Sequence, residues 1–386
     1  MGGMRIVRAS AQPPTKLPLG SWLAMMSALA LPTQPAVAAP LDALLTATPE
    51  LTAPQAYLEL GVDRLNRALD FSTSGQADTG ATTGSNTSRS ASGNYQGVHA
   101  AGGWKARDGL WLMGSLWQRN IRNGTDTFGY VSWQASGLIR LHEANGALPA
   151  VALRLSAWGN RASATETSTP VHVPGTILNS VKITRPSDQQ LQADLVGTWP
   201  VSAYTHFSAL LGAGSTRLAY GELSATTTRN GCNYQLSFNG NDIFGVLAEA
   251  CKASGGVIQQ FYDSSGDYGV DVAKEIAWRG HFVQAGFNAD WRSGPWTLLG
   301  GYLFHSVRRQ AVDAILAGRG DPVFQRNHVV TLESAYQFQP RLGVFLRAQI
   351  SSNLFLNDLP VTYNTSTSGS FGNRFSLFTL GLRAGF

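Results

Sequence analysis

Period-two alternation, repeated along the chain and interrupted in turn by short turns and long polar stretches, most restricts how this sequence can fold. Leu342, Val344, Leu346, Ala348 and Ile350 alternate with Arg347, Gln349, Ser351 and Asn353. Leu191, Ala193, Leu195 and Trp199 alternate with Gln190, Gln192, Asp194 and Thr198. The chain end repeats the pattern: Phe378, Leu380, Leu382 and Ala384 are separated by mostly small or polar residues, and Phe386 is last. Successive side chains of a strand point to opposite faces, so each segment reads as a strand with one apolar and one polar side.

The connections set the architecture. Turn signals stand at Asp108-Gly109, Asn145-Gly146, 200–203, 292–295 and 339–341, where helix-breaking and polar residues reverse a chain tightly. Between them lie polar stretches at 72–94, 122–127, 162–188, 221–272, 312–322 and 357–372. Five short connections alternating with six mostly longer ones delimit twelve strands, with both termini on the short-turn side. The predicted fold class is all-β: a transmembrane, antiparallel, up-and-down β-barrel with short periplasmic turns and long outer loops. In hydrocarbon no backbone amide can go unpaired, so such a sheet must close, apolar side outward and polar side inward.

The other end of the chain bears on compartment. Arg5, Arg8 and Lys16 precede the uncharged run Leu17–Leu31, and Ala36-Val37-Ala38 supplies a small-x-small cleavage site. This is the pattern of a secretory signal peptide over residues 1–38. Pro18 and Pro32 bracket a core shorter than the ~20 residues a membrane helix needs. A short periplasmic segment, 39–54, and a barrel, 55–386, follow in this reading. The chain has 29 Lys and Arg against 24 Asp and Glu, and residues 1–38 hold three basic and no acidic side chains, leaving 26 − 24 = +2. The basic balance therefore belongs largely to the leader and gives no reason to expect nucleic acid as a partner. Charged residues are 14% of the chain, against about 25% for a soluble domain. Trp104 and Trp111, Trp199 and Tyr204, and Trp291 and Trp296 flank three of the short turns, the placement of an interfacial aromatic girdle.

The closing residues Phe378, Leu380, Leu382, Ala384 and Phe386 resemble the C-terminal signature of Gram-negative outer-membrane β-barrel proteins of the porin-like kind. That resemblance implies location in the cell outer membrane after secretion across the inner membrane, contact with outer-membrane lipid, and recognition of the last strand by the barrel-assembly machinery. It assigns no subfamily, and no cofactor is expected.

The inward positions carry the functional expectation. Arg140, Arg154, Asp194, His206, Arg279, His281, Asp290, Glu333, Arg347 and Arg383 are the candidates for lumen and selectivity, with basic groups somewhat more numerous. A bulge near Phe282 and Val283 is a place where this face assignment can shift. In a narrow barrel such groups either frame a small pore or pair across it. The expectation is a narrow channel for small hydrophilic or mildly anionic solutes. The alternative is a non-conducting surface barrel whose outer loops bind or organise envelope components, and a third reading is a loop-sited hydrolase.

Motifs add little chemistry. Cys232 and Cys251 are the only cysteines, both in the largest outer loop; in an oxidising compartment they are expected to form a disulfide. Between them, Tyr234, Leu236 and Phe238 precede Asn239-Gly240, and Ile243, Gly245 and Leu247 follow, the pattern of a small hairpin that either bends inward or stands outward. The stretch His142-Glu143-Ala144-Asn145-Gly146 is similar to one in outer-membrane phospholipases but carries Ala144 at the nucleophile position. No Gly-x-Ser-x-Gly elbow, His-Glu-x-x-His pair or Cys-x-x-Cys occurs, so no catalytic or metal site is assigned. Asp263, Asp267 and Asp271 share one loop, which reads as a solvated loop or a weak calcium contact; Arg319-Gly320-Asp321 falls in another and reads as ordinary turn chemistry.

Overall fold

The computed structural model describes residues 55–65, 95–123, 126–168, 170–173, 176–251, 257–268, 270–353, 358–364, 368, 372 and 374–386. The signal peptide, the segment 39–54 and the loop 72–94 expected above lie outside these residues.

In chain order the strands are β1 (Ala56–Leu65), β2 (Tyr95–Arg107), β3 (Leu110–Asn123), β4 (Asp126–His142), β5 (Ala150–Arg161), β6 (Ala164–Thr167), β7 (Val171–Val173), β8 (Thr176–Thr184), β9 (Ser187–Ser202) and β10 (Thr205–Ala219). They continue with β11 (Leu223–Arg229), β12 (Cys232–Asn239), β13 (Asp242–Leu247), β14 (Gln260–Ser264), β15 (Arg279–Ser293), β16 (Trp296–Arg309), β17 (Arg326–Gln339), β18 (Leu342–Ser351) and β19 (Phe375–Gly385). Two helices, α1 (Val272–Ile276) and α2 (Val312–Arg319), stand among the outer connections.

Twelve strands close on themselves in the order β1-β19-β18-β17-β16-β15-β10-β9-β5-β4-β3-β2, every neighbouring pair antiparallel. The seam is β1 on β19, running from Tyr57 opposite Gly385 to Leu65 opposite Leu377. Phe386 completes it: its amide donates to the Ala56 carbonyl at 2.8 Å. Closure leaves no barrel edge, and that lets the sheet sit in hydrocarbon.

The apolar side faces out. Leu60, Leu116, Leu191, Leu211, Leu332 and Leu380 are all more than half exposed, positions that would be core in a protein surrounded by water. At the short-turn end Trp104, Tyr204, Trp291, Trp296 and Phe386 are also exposed, and together they make the interfacial ring. Trp111 departs from the expected girdle. It is buried and packs inside the lumen with Leu138 and Ala152, because it lies an odd number of residues from outward-facing Leu112.

The outer connections build a second, separate sheet of order β14-β13-β12-β11-β8-β6, with β7 added to β8. Its strands come from the two long loops 162–186 and 220–278. Cys232 and Cys251 form a disulfide in it, beside a core of Ala225, Tyr234, Leu236 and Ile243. The hairpin expected between the cysteines is β12–β13, now seen as the middle of a larger sheet. The strand count follows the expected turns, although only two residues separate β3 from β4, as few as at any of the expected short turns.

Leu211 is 66% exposed near the middle of β10. Leu211→Arg is expected to destabilise the barrel by about 2–4 kcal/mol if this position lies at the bilayer midplane, measured as the urea midpoint of refolding into lipid vesicles.

Candidate functional site: the barrel lumen

Alternation delivers polar side chains to the lumen at several levels, and most of the charged ones meet an opposite charge there. The largest group spans the seam. Glu59 on β1 lies between Arg347 on β18 and Arg383 on β19, with Arg383 Nη2 at 2.8 Å and Arg347 Nη2 at 3.4 Å. Glu333 on β17 accepts from the same two arginines at 2.6 and 3.0 Å. Both guanidinium groups lie over the Phe345 ring, 5.0 and 4.7 Å from its centroid. His99 on β2 extends the group, with Nε2 3.2 Å from Glu59 and Nδ1 2.9 Å from Asp63; carboxylate acceptors on both sides call for an N–H on each ring nitrogen. Thr379 donates to the other oxygen of Asp63 at 2.6 Å. These side chains come from β1, β2, β17, β18 and β19, so the ion pairs tie first and last strands together.

A second group sits on the opposite wall. Arg154 on β5 donates to Asp194 on β9 at 2.9 Å, and Gln192 and Gln284 donate to the same carboxylate at 2.7 and 3.0 Å. Asp194 faces Gly212 in the register, and a Cβ at that glycine would occupy the carboxylate's place. Nearer the short turns His206 lies 3.3 Å from Asp290, Arg292 donates to Asp290 at 2.9 Å, and Arg140 pairs with Glu143 at 3.1 Å.

The outer mouth is crossed by a segment of the β18–β19 connection. Arg119 on β3 holds Asp358 at 2.6 Å. Asn160 on β5 donates to the Asp358 carbonyl at 2.9 Å and to the Asp188 carboxylate at 3.0 and 3.1 Å. Asp188 also accepts from the Val361 amide at 3.2 Å. Since β5 and β9 lie across the ring from β18 and β19, and β3 three strands from β19, residues 358–363 reach over the opening. Leu359 packs on Ile121 and Tyr130, while Tyr363 joins Leu218, Trp278, Val312 and Leu316. Arg309 sits 3.7 Å from the Tyr363 ring centroid and pairs with Asp313 of α2 at 3.1 Å.

Two of the ten lumen candidates lie elsewhere. Arg279 and His281 are exposed on the outer face of β15, because the register of β15 with β10 and β16 runs without a break and Phe282 is the residue that turns inward. No bulge occurs there. The other eight, Arg140, Arg154, Asp194, His206, Asp290, Glu333, Arg347 and Arg383, are buried or half-buried on the inward phase of their strands. Sequence reasoning missed Glu59, Asp63 and His99, although Glu59 and Asp63 alternate with Leu58, Leu60 and Val62 and were detectable by the same period. Asp358 carries no periodic signal.

Loop acids are engaged locally. Asp263 accepts from the Tyr268 hydroxyl, and Asp271 caps α1, where Lys274 at 2.6 Å holds its carboxyl below the usual range. Arg319 of the Arg-Gly-Asp string is ion-paired with Glu275 of α1. Among the described residues no three His, Cys, Asp or Glu side chains converge as metal ligands.

No protein-family model matches the chain, and no curated protein matches it in sequence. Some solved structures are similar to it at low identity. The translocator domain of autotransporter NalP from Neisseria meningitidis matches with 9% identity and a TM-score of 0.45, over 86% of this chain and 88% of that one. The CymD monoaromatic hydrocarbon channel matches with 10% identity and a TM-score of 0.37, over 89% and 91%. The NanC porin gives 8% identity and a TM-score of 0.38, over 85% and 100%. The fold itself is read from the chain's own strands, a closed antiparallel ring of twelve with its apolar side outward.

Glu59 is fully buried between two guanidinium groups. Removing one partner of a buried charge cluster strands the others, so Glu59→Ala is expected to cost about 3–5 kcal/mol. The readout is urea unfolding followed by tryptophan fluorescence, with a loss below 1 kcal/mol counting against the network as a clamp on the seam.

Proposed function

We propose that the protein is a narrow outer-membrane channel for small hydrophilic solutes, held shut in the conformation described here by residues 358–363. The observation that carries this reading is the manner in which that segment is held. It is anchored to the far wall by Asn160 and Asp188 and to β3 by Arg119 rather than by strand pairing. A few charge-assisted contacts, each worth about 1.5–3 kcal/mol, are a small barrier beside the backbone ladder of the barrel. Opening the mouth would leave a wall bearing Arg154, Asp194, Gln192 and Gln284, groups that suit a hydrated passage.

The solute class follows from the charge arrangement. With Arg279 and His281 outside, the cations within are matched by Glu59, Asp63, Asp194, Asp290 and Glu333. Paired charges project little field, so the passage favours small hydrophilic solutes with little preference for either sign of charge. The outward row Phe378, Leu380, Leu382, Ala384 and Phe386 remains the surface offered to the assembly machinery and to lipid. A second reading, a non-conducting surface barrel, is favoured by the Val196, Leu210, Leu303 and Val329 cluster inside the wall and by the stapled outer sheet.

Single-channel recording separates the two. The refolded mature protein is expected to open rarely, Asp358→Ala to raise its open probability by at least about tenfold, and the reversal potential in a salt gradient to stay near zero. Correctly folded wild type and variant that are both silent would sink the channel reading in favour of the surface barrel.

A further inference from the structure

The two cations that fall outside the lumen belong to a larger row. Arg217 ends the outer face of β10, Arg279 and His281 begin that of β15, Arg308 ends that of β16 and Arg326 begins that of β17, and all five are exposed. The register places Arg217 directly opposite Arg279, His281 opposite Arg308, and Arg326 opposite Ser306. These strands are neighbours in the ring, so at about 4.8 Å per strand the cations spread over about 14 Å. All lie at the ends that lead into the long outer connections. Below them the same faces carry Leu211, Val283, Phe287, Leu298, Val330 and Leu332, exposed and apolar.

Among the described residues nothing neutralises this row. Arg119, Arg154, Arg309, Arg347 and Arg383 within the barrel each hold a carboxylate, whereas no ion pair involves Arg217, Arg279, Arg308 or Arg326 among the described residues. Like charges directly opposite on neighbouring strands are destabilising. Every one of the four is arginine, whose planar fork matches phosphate oxygens two at a time. The row is placed where the apolar band ends and the polar outer surface begins, which is the headgroup level of a bilayer.

We propose that this row binds the phosphate groups of an anionic lipid headgroup in the outer leaflet, a phosphorylated glycolipid whose acyl chains lie on the apolar faces of β10, β15, β16 and β17. The site needs only the membrane placement of the barrel and stands whether or not the lumen conducts.

The test uses the mature protein refolded in zwitterionic detergent, with bisphosphorylated lipid A as probe and the melting midpoint of the barrel as readout. The midpoint should rise with probe concentration, because a ligand that binds only the folded state stabilises it. Dephosphorylated lipid A should give no rise. Replacing Arg217, Arg279, Arg308 and Arg326 together by Gln should weaken half-saturation by at least about tenfold, with heat-modifiable gel mobility reporting that the variant is folded. Arg279→Gln alone covers the case where it is not: without lipid it should melt above wild type, since a like-charge contact is relieved, and with lipid A it should gain less. An equal rise with dephosphorylated lipid, a rise reproduced by inorganic phosphate alone, or an unchanged response in the folded variants would each overturn the proposal, as would no rise at all.

Discussion

Every other feature of this protein depends on closing the backbone hydrogen-bond ladder. A strand exposed to hydrocarbon has no water to satisfy its amides, so the sheet is stable there only if its first and last strands pair. That requirement falls on β1 and β19, and the chain's last residue takes part through the Phe386 amide and the Ala56 carbonyl. Closure then dictates the distribution of side chains. Leucines that would form a core in water face outward, and the interior receives the polar half of each strand.

The interior must in turn manage buried charge. Glu59, Glu333, Arg347 and Arg383 solve this by sharing hydrogen bonds, an arrangement whose worth lies less in net stability than in what is lost when one member goes. Because these residues sit on the strands either side of the seam, the same pairs that satisfy the charges also reinforce closure. The mouth is handled differently: there a loop supplies Asp358 and Tyr363 to meet Arg119 and Arg309. Wall and loop thus differ in what holds them, and a change of state would act on the loop.

The outer surface shows the opposite economy. Arg217, Arg279, Arg308 and Arg326 stand opposite like or neutral groups, where an internal partner would have been simple to provide. The strand count and the facing of most residues were legible because period two survives in any single strand. The facing of Arg279 and His281 was not, since a suspected bulge at Phe282 can be settled only by the register with β10 and β16. Trp111 shows the same limit: beside a turn, either phase of the strand reads as a girdle position.

By itself the sequence determined the class of fold, the alternation of connections, the apolar and polar faces and the pairing partners available to the two cysteines, because each depends on spacing along the chain. The tertiary structure alone decided which strands carry Glu59 to Arg383, that two separate loops merge into one outer sheet, and that residues 358–363 cross the mouth. It also brought the arginines of β10, β15, β16 and β17 into one row. Those outcomes rest on contacts between residues up to 324 positions apart, and ring closure and strand shear, which no local pattern encodes, bring such residues together.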